Sequence, residues 1–119
     1  MYGEWVVLVG GQKSNHLNVW DCGSDGFLST YITFEPEAAH AYWKSVCDSS
    51  HSDARAIIDR FEVPLFDYLQ NLPGGFDSGI HGIYETTGTY RRWRRKPYRS
   101  VSDREIDELT ELCARLEII

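Results

Sequence analysis

Between Trp5 and Phe34 the apolar positions fall into short clusters separated by glycine- and serine-rich turns. Trp5-Val6-Val7-Leu8-Val9 is apolar at every position and rich in β-branched residues, the pattern of a strand covered on both faces. Gly10 and Gly11 end it, Gln12 to Asn15 reads as a hairpin loop, and Leu17 to Trp20 reads as the return strand. Asp21 to Gly26 is a run of turn formers. Phe27 to Phe34 then alternates, with Leu28, Thr30, Ile32 and Phe34 on one face. The spacing predicts a three-stranded antiparallel meander.

Beyond Phe34 the period changes. Pro36 suits a first helical turn, and Ala39, Tyr42, Trp43, Val46 and Cys47 share one helical arc. Asp48 to Ser52 interrupts it, with Ser52 placed to cap a second helix whose stripe is Ala54, Ile57, Ile58 and Phe61. Pro64 seeds a third through Leu65, Leu69 and Leu72, which Pro73-Gly74-Gly75 stops. Ile80 to Thr86 and Thr89 to Arg95 read as a hairpin turning at Thr87-Gly88. The last element carries its own start signal: Ser102 and Glu105 form a capping box, and Val101 and Ile106 occupy the staple positions. Ile106, Leu109, Leu112, Cys113 and Leu116 are its buried stripe. The expected class is therefore α+β: a meander, two or three central helices, a β-hairpin and a C-terminal helix on the sheet. With 119 residues, one domain over 1–119 is expected.

Composition changes the picture mainly through charge. Thr89 to Arg99 holds six of the twelve basic residues, leaving six against all eighteen acidic ones elsewhere. The chain is an acidic body, with a sequence pI near 5.1, carrying one basic and aromatic ribbon. Cys22, Cys47 and Cys113 are odd in number and widely spaced, which fits a reducing compartment better than a disulfide framework. MYGEWVVLVGG has no basic leader region, and its apolar run is too short to span a bilayer, so a cytoplasmic protein without a membrane segment is expected.

Catalytic signatures are weak. Gly10-Gly11-Gln12-Lys13-Ser14 follows an apolar run but lacks phosphate-loop spacing. His40, Cys47 and His51 would converge only on an unbroken helix and suggest no fourth ligand, so neither metal nor cofactor is expected. His81, Tyr84 and Glu85 form the most suggestive local group for acid–base or nucleotide chemistry. On a strand, His81, Ile83 and Glu85 would share a face, with Gly82 leaving room for a ligand. The same residues equally make a solvated cross-strand pair.

The ribbon offers three readings. As a strand it would set Tyr90, Arg92, Arg94 and Lys96 opposite Arg91, Trp93 and Arg95, charged on both faces, and so guard a sheet edge. As a nucleic-acid site, its guanidinium groups would meet phosphates while Tyr90, Trp93 and Tyr98 stack on bases, against the acidity of the remainder. As a protein interface it combines arginine, tryptophan and tyrosine, the residues that most often dominate binding energy. Asp103, Asp107 and Glu111 line the outer side of the last helix, either as a solvated face or as a docking stripe for a basic partner. The leading expectation is a non-enzymatic intracellular binding or inhibitor module, of the kind that neutralises toxins or phage-targeting nucleases. Its partner would be another protein, a nucleic-acid-handling enzyme or complex being one candidate. The alternatives are direct nucleic-acid binding and a small enzyme around His81, Tyr84 and Glu85. Monomer and homodimer both remain open, although like charge disfavours pairing through the ribbon.

Overall fold

Gly11 turns the chain out of its first strand and into a helix. Its φ of 82° lies in the left-handed region, which favours glycine, and a Cβ there would force the Asn15 amide aside. A computed structural model describes residues 5–119; Met1 to Glu4, and with them the start of the N-terminal reading, lie outside the described residues. The described chain is 61% helical. Its sheet is one parallel pair, β1 (Leu8–Val9) and β2 (Gly26–Phe27), with Leu8 beside Gly26 and Val9 beside Phe27. The expected α+β class is thereby overturned: the described residues contain neither the antiparallel meander nor the late hairpin.

Each missing strand has a physical reason. The segment expected as a hairpin loop and return strand is α1 (Gln12–Asn18), followed by a 3-10 turn over Trp20–Cys22. Lys13, His16, Leu17 and Trp20 step by three and four residues, and Lys13 and His16 are fully buried. Two of the inward positions are polar, so an apolar pattern does not reveal the helix. A helix between parallel strands is the connection such strands need. After β2 the alternation of Leu28 to Phe34 is not strand either. Tyr31–Thr33 forms a 3-10 turn that buries Tyr31 and Phe34, while Leu28 and Ile32 are exposed.

The described residues fall into two compact units, the first ending at Glu62 and the second running from Val63 to Ile119. In the first, α2 (Pro36–Cys47) and α3 (His51–Ile57) pack together, and a π-helical segment continues over Ile58–Glu62. Tyr42, Val46, Ala54 and Ile58 form the core, joined by Leu17, Trp20, Phe27 and Ile57. Pro36 opens α2 as expected, with Glu35 accepting from the Ala38 amide at 3.3 Å. Trp43 and Cys47, expected on the buried arc, are exposed; Ala38 takes an inward position instead. The second helix begins at His51 with Ser50 as its N-cap, two residues before the expected start.

In the second unit α5 (Gly75–Thr86) packs against both α4 (Val63–Gln70) and α6 (Asp103–Arg115). Glycine explains why α5 is missed as a helix. A Cβ at Gly79 would come within 2.5 Å of Leu69 Cδ2, and one at Gly82 within 2.6 Å of Leu109 Cδ1. Both glycines bring helices close together; neither marks a strand or leaves space for a ligand. Ile80 and Ile83 are buried beside them. The α6 capping box is complete, with the Ser102 and Glu105 side chains each bonded to the other's backbone amide. Leu109, Leu112 and Cys113 are buried on its inner face, and burial pushes the Cys113 thiol up to about 11.

Candidate functional site

The ribbon is not a strand. After α5 ends at Thr86, the amides of Thr89 and Tyr90 both donate to the Tyr84 carbonyl, at 2.8 and 3.0 Å, and residues 91–95 have no regular secondary structure. With no sheet beside it among the described residues, the segment has no edge to guard there, which removes the edge-protection reading.

Structure divides the basic residues by job. Arg92 is buried: its amide donates to Glu85 Oε2 at 2.8 Å, and its guanidinium pairs with Asp103 and lies 3.6 Å from Glu85 Oε1. Arg99 reaches both oxygens of Glu105, at 3.2 and 3.3 Å. Burial alone would raise the Glu105 carboxyl, but the Ser102 hydrogen bonds and the Arg99 charge outweigh it and hold the group below its ordinary value. Arg94 stacks its guanidinium on Tyr98 at 4.8 Å, and its amide donates to Ser100 Oγ. These contacts hold the segment in one shape. Arg91, Arg95 and Lys96 are exposed, and among the described residues none has a carboxylate at ion-pair distance.

One face of this segment closes a cleft. His81 and Tyr84, one turn apart on α5, line it with Tyr90, Arg91 and Trp93, and it has a volume of about 380 Å³. Tyr84 meets His81 and Tyr90 edge-on, with ring centres 5.9 and 6.2 Å apart. Tyr90 and Trp93 remain 72% and 65% exposed, large apolar surfaces left in water on a braced segment. Two groups that the sequence keeps apart, the ribbon and the His81–Tyr84 pair, thus meet. Glu85 does not join them: its carboxylate is turned to Arg92, and the helix takes Ile83 into the core, away from the face expected for His81 and Glu85.

A second cleft of about 320 Å³ lies among Tyr68, Leu72, Pro73, Ser102, Glu105 and Glu108. Its polar groups are already engaged. Tyr68 donates to Glu108 at 2.7 Å, Arg104 donates to Glu108 at 2.9 Å, and Ser102 and Glu105 satisfy each other. Of the acidic stripe, Asp107 and Glu111 are exposed while Asp103 takes part in the Arg92 pair.

The glycine-lysine stretch of the first unit does enter a helix, but Lys13 and Ser14 are spent internally. Lys13 Nζ lies 3.0 Å from Glu62 Oε2 and Ser14 Oγ 2.7 Å from Glu62 Oε1, so the groups a phosphate would use face a carboxylate. His40, Cys47 and His51 are all exposed, and the break after α2 separates Cys47 from His51. At the carboxyl end of β1, Gln12 holds a left-handed backbone with φ 72°, and its side-chain amide exchanges two hydrogen bonds with Thr30, at 2.9 and 3.2 Å. Sequence reasoning missed this pair because it depends on the parallel register.

No family model matches the chain, nor does any curated protein. A crystal structure from Pseudomonas aeruginosa, labelled a dihydrodipicolinate synthetase, shares its fold with a TM-score of 0.73 and 22% identity over 89% of this chain. The chain spans 36% of that structure's length. No described helix is long and apolar enough to cross a membrane.

Proposed function

We propose that this chain is an intracellular docking module, of the inhibitor or assembly-partner kind, that engages another protein through the cleft of His81, Tyr84, Tyr90, Arg91 and Trp93. The observation that carries this reading is the pairing of exposed Tyr90 and Trp93 with a neighbouring cation that has no carboxylate partner among the described residues, on a segment braced by Arg92 and Arg99. Rigid aromatic anchors lose little conformational entropy on binding, and arginine adds a directed charge, which is how interface hot spots work. Arg95 and Lys96 extend the basic rim, while Asp107 and Glu111 offer a separate surface to a basic partner. Copurification from the native host, compared between the wild-type chain and the Arg91→Ala/Trp93→Ala variant, tests the reading. A partner retained by the first and lost by the second is expected. Equal retention by both removes the cleft from the interface. A salt-dependent mobility shift of DNA or RNA that the same variant abolishes would favour the nucleic-acid alternative.

A second reading follows from Gln12. Parallel strands of α/β enzymes bind ligands at their carboxyl ends, and a strained backbone held in place is characteristic of such sites. The Gln12–Thr30 pair stands at that end of β1. Together with the label of the fold neighbour, it supports a role within a larger synthetase-like enzyme. Assay of the activity that label names, with Gln12→Ala as the comparison, tests it; activity indifferent to the substitution counts against it.

A further inference from the structure

The first unit carries a surface that the docking reading does not use. The backbone of Val7, just before β1, and of Val9 within it is turned toward β2. Asp25 N donates to Val7 O and Leu28 N to Val9 O, each at 2.9 Å, while Val7 N donates to the Asp25 carboxylate at 2.8 Å. Backbone groups alternate along a strand, so those of Val6 and Leu8 point to the opposite edge. No backbone bond joins that edge to another described residue. Its side chains are apolar and in water: Trp5 and Val6 are 76% exposed and Leu8 is 55% exposed.

Natural edge strands are guarded by lysine, proline, bulges or a covering element. Trp5 to Gly11 contains no charge and no proline. Parallel strands, moreover, occur in sheets buried on both faces, and two strands of two residues each fall far short of an independent sheet. The fold neighbour is consistent with this, since the shared fold occupies 36% of a longer chain.

We infer that β1 is the acceptor for a further strand: an extended, apolar segment of a second polypeptide, lying parallel to β1 and bonded to the backbone of Val6 and Leu8. A strand is specified because only another backbone satisfies a row of alternating donors and acceptors. Apolar side chains are specified by the uncharged edge, and the parallel direction by the existing pair. A second copy of this chain, meeting β1 with β1 about a two-fold axis perpendicular to the sheet, would run antiparallel and is a different outcome.

The test uses the whole chain and a short peptide of alternating threonine and valine, flanked by lysines and spin-labelled at its N-terminus. Amide NMR is expected to show shifts at Val6 and Leu8, with broadening from the label strongest at Trp5 and Val6. Broadening centred on Gly10 and Gly11 would show antiparallel addition and overturn the inference, as would an absence of shifts along β1. A light-scattering mass of twice the chain, with the Val6 and Leu8 amides already protected, would overturn it in favour of a second copy. Val6→Pro removes one donor from the open edge without touching the bonds to β2, and should weaken the peptide by about five- to tenfold; unchanged affinity would also overturn it. Should the substitution disturb folding, the label measurement on the native chain decides alone. Neither result depends on Arg91 or Trp93, so the surface stands or falls separately from the docking cleft.

Discussion

Glu62 holds the buried ammonium group of Lys13 at 3.0 Å, and both side chains are withdrawn from water. The same carboxylate accepts from the amides of Lys13 and Ser14, at 3.2 and 3.0 Å, and so satisfies the start of α1 from the far end of the first unit. Burial lowers the Lys13 pKa, and the Glu62 charge and hydrogen bond partly restore it. Glu62→Ala should therefore destabilise the protein by about 3–5 kcal/mol, since it leaves a buried cation alone. Lys13→Met combined with Glu62→Ala should recover part of that loss, because the unpaired cation is gone. Urea unfolding of both single variants and the double variant checks the coupling; additive losses would show the pair to be energetically independent.

Arg92 and Arg95, three residues apart, should behave oppositely. Arg92→Ala deprives Glu85 and Asp103 of their cation and should cost about 1–3 kcal/mol, at the modest end because Asp103 is largely exposed. Arg95→Ala removes an exposed side chain and should change stability by less than about 0.5 kcal/mol. Thermal melts of the two variants suffice. Equal losses would show that the ribbon is not divided into bracing and free residues.

His16 lies buried between Phe27, stacked at 4.8 Å, and the Tyr42 hydroxyl, 2.7 Å from Nδ1. Burial lowers its pKa, so protonation is harder in the folded state than in the unfolded chain. Between that lowered value and the ordinary value of about 6.5, the unfolded state binds the additional proton, and stability falls with falling pH. The wild-type chain should lose up to about 1.4 kcal/mol per pH unit in this window relative to His16→Phe. Denaturant midpoints for both proteins between neutral and mildly acid pH measure the difference, and parallel curves would contradict it.

Gly82→Ala tests the close approach of α5. Alanine is the better helix former by about 1 kcal/mol. Here its Cβ would meet Leu109 and Val101, both buried with little room to yield, so a net loss of about 1–3 kcal/mol is expected. A more stable variant would mean that these neighbours shift freely.

Legibility followed the chemistry of the inward positions. The helices that begin at Pro36 and Asp103 announce themselves, one by proline and an acidic first turn, the other by the Ser102–Glu105 box and a regular apolar stripe. The helix at Gln12 hides because Lys13 and His16 occupy buried places, and their partners, Glu62 and Tyr42, lie far away in sequence. The helix at Gly75 hides because Gly79 and Gly82 contribute absence of volume to the packing, which a hydrophobic pattern scores as nothing. Tyr90, Arg91 and Trp93 are visible candidates in the sequence, as are His81 and Tyr84. Their meeting in one cleft is not, because it requires 81 and 84 to stand one helical turn apart.

The π-helical segment over Ile58–Glu62 gives chain length an angular meaning. Such a turn holds one residue more than an α-turn, so a regular helix over the same rise would contain one residue fewer. Each residue of an α-helix turns the chain by about 100°, and removing one would therefore carry Glu62 round the axis and away from Lys13 and Ser14. The polar lock of the first unit is thus a matter of phase. A single-residue deletion there, which would shorten the chain by almost nothing, acts as a rotation that disengages a carboxylate from four hydrogen bonds at once.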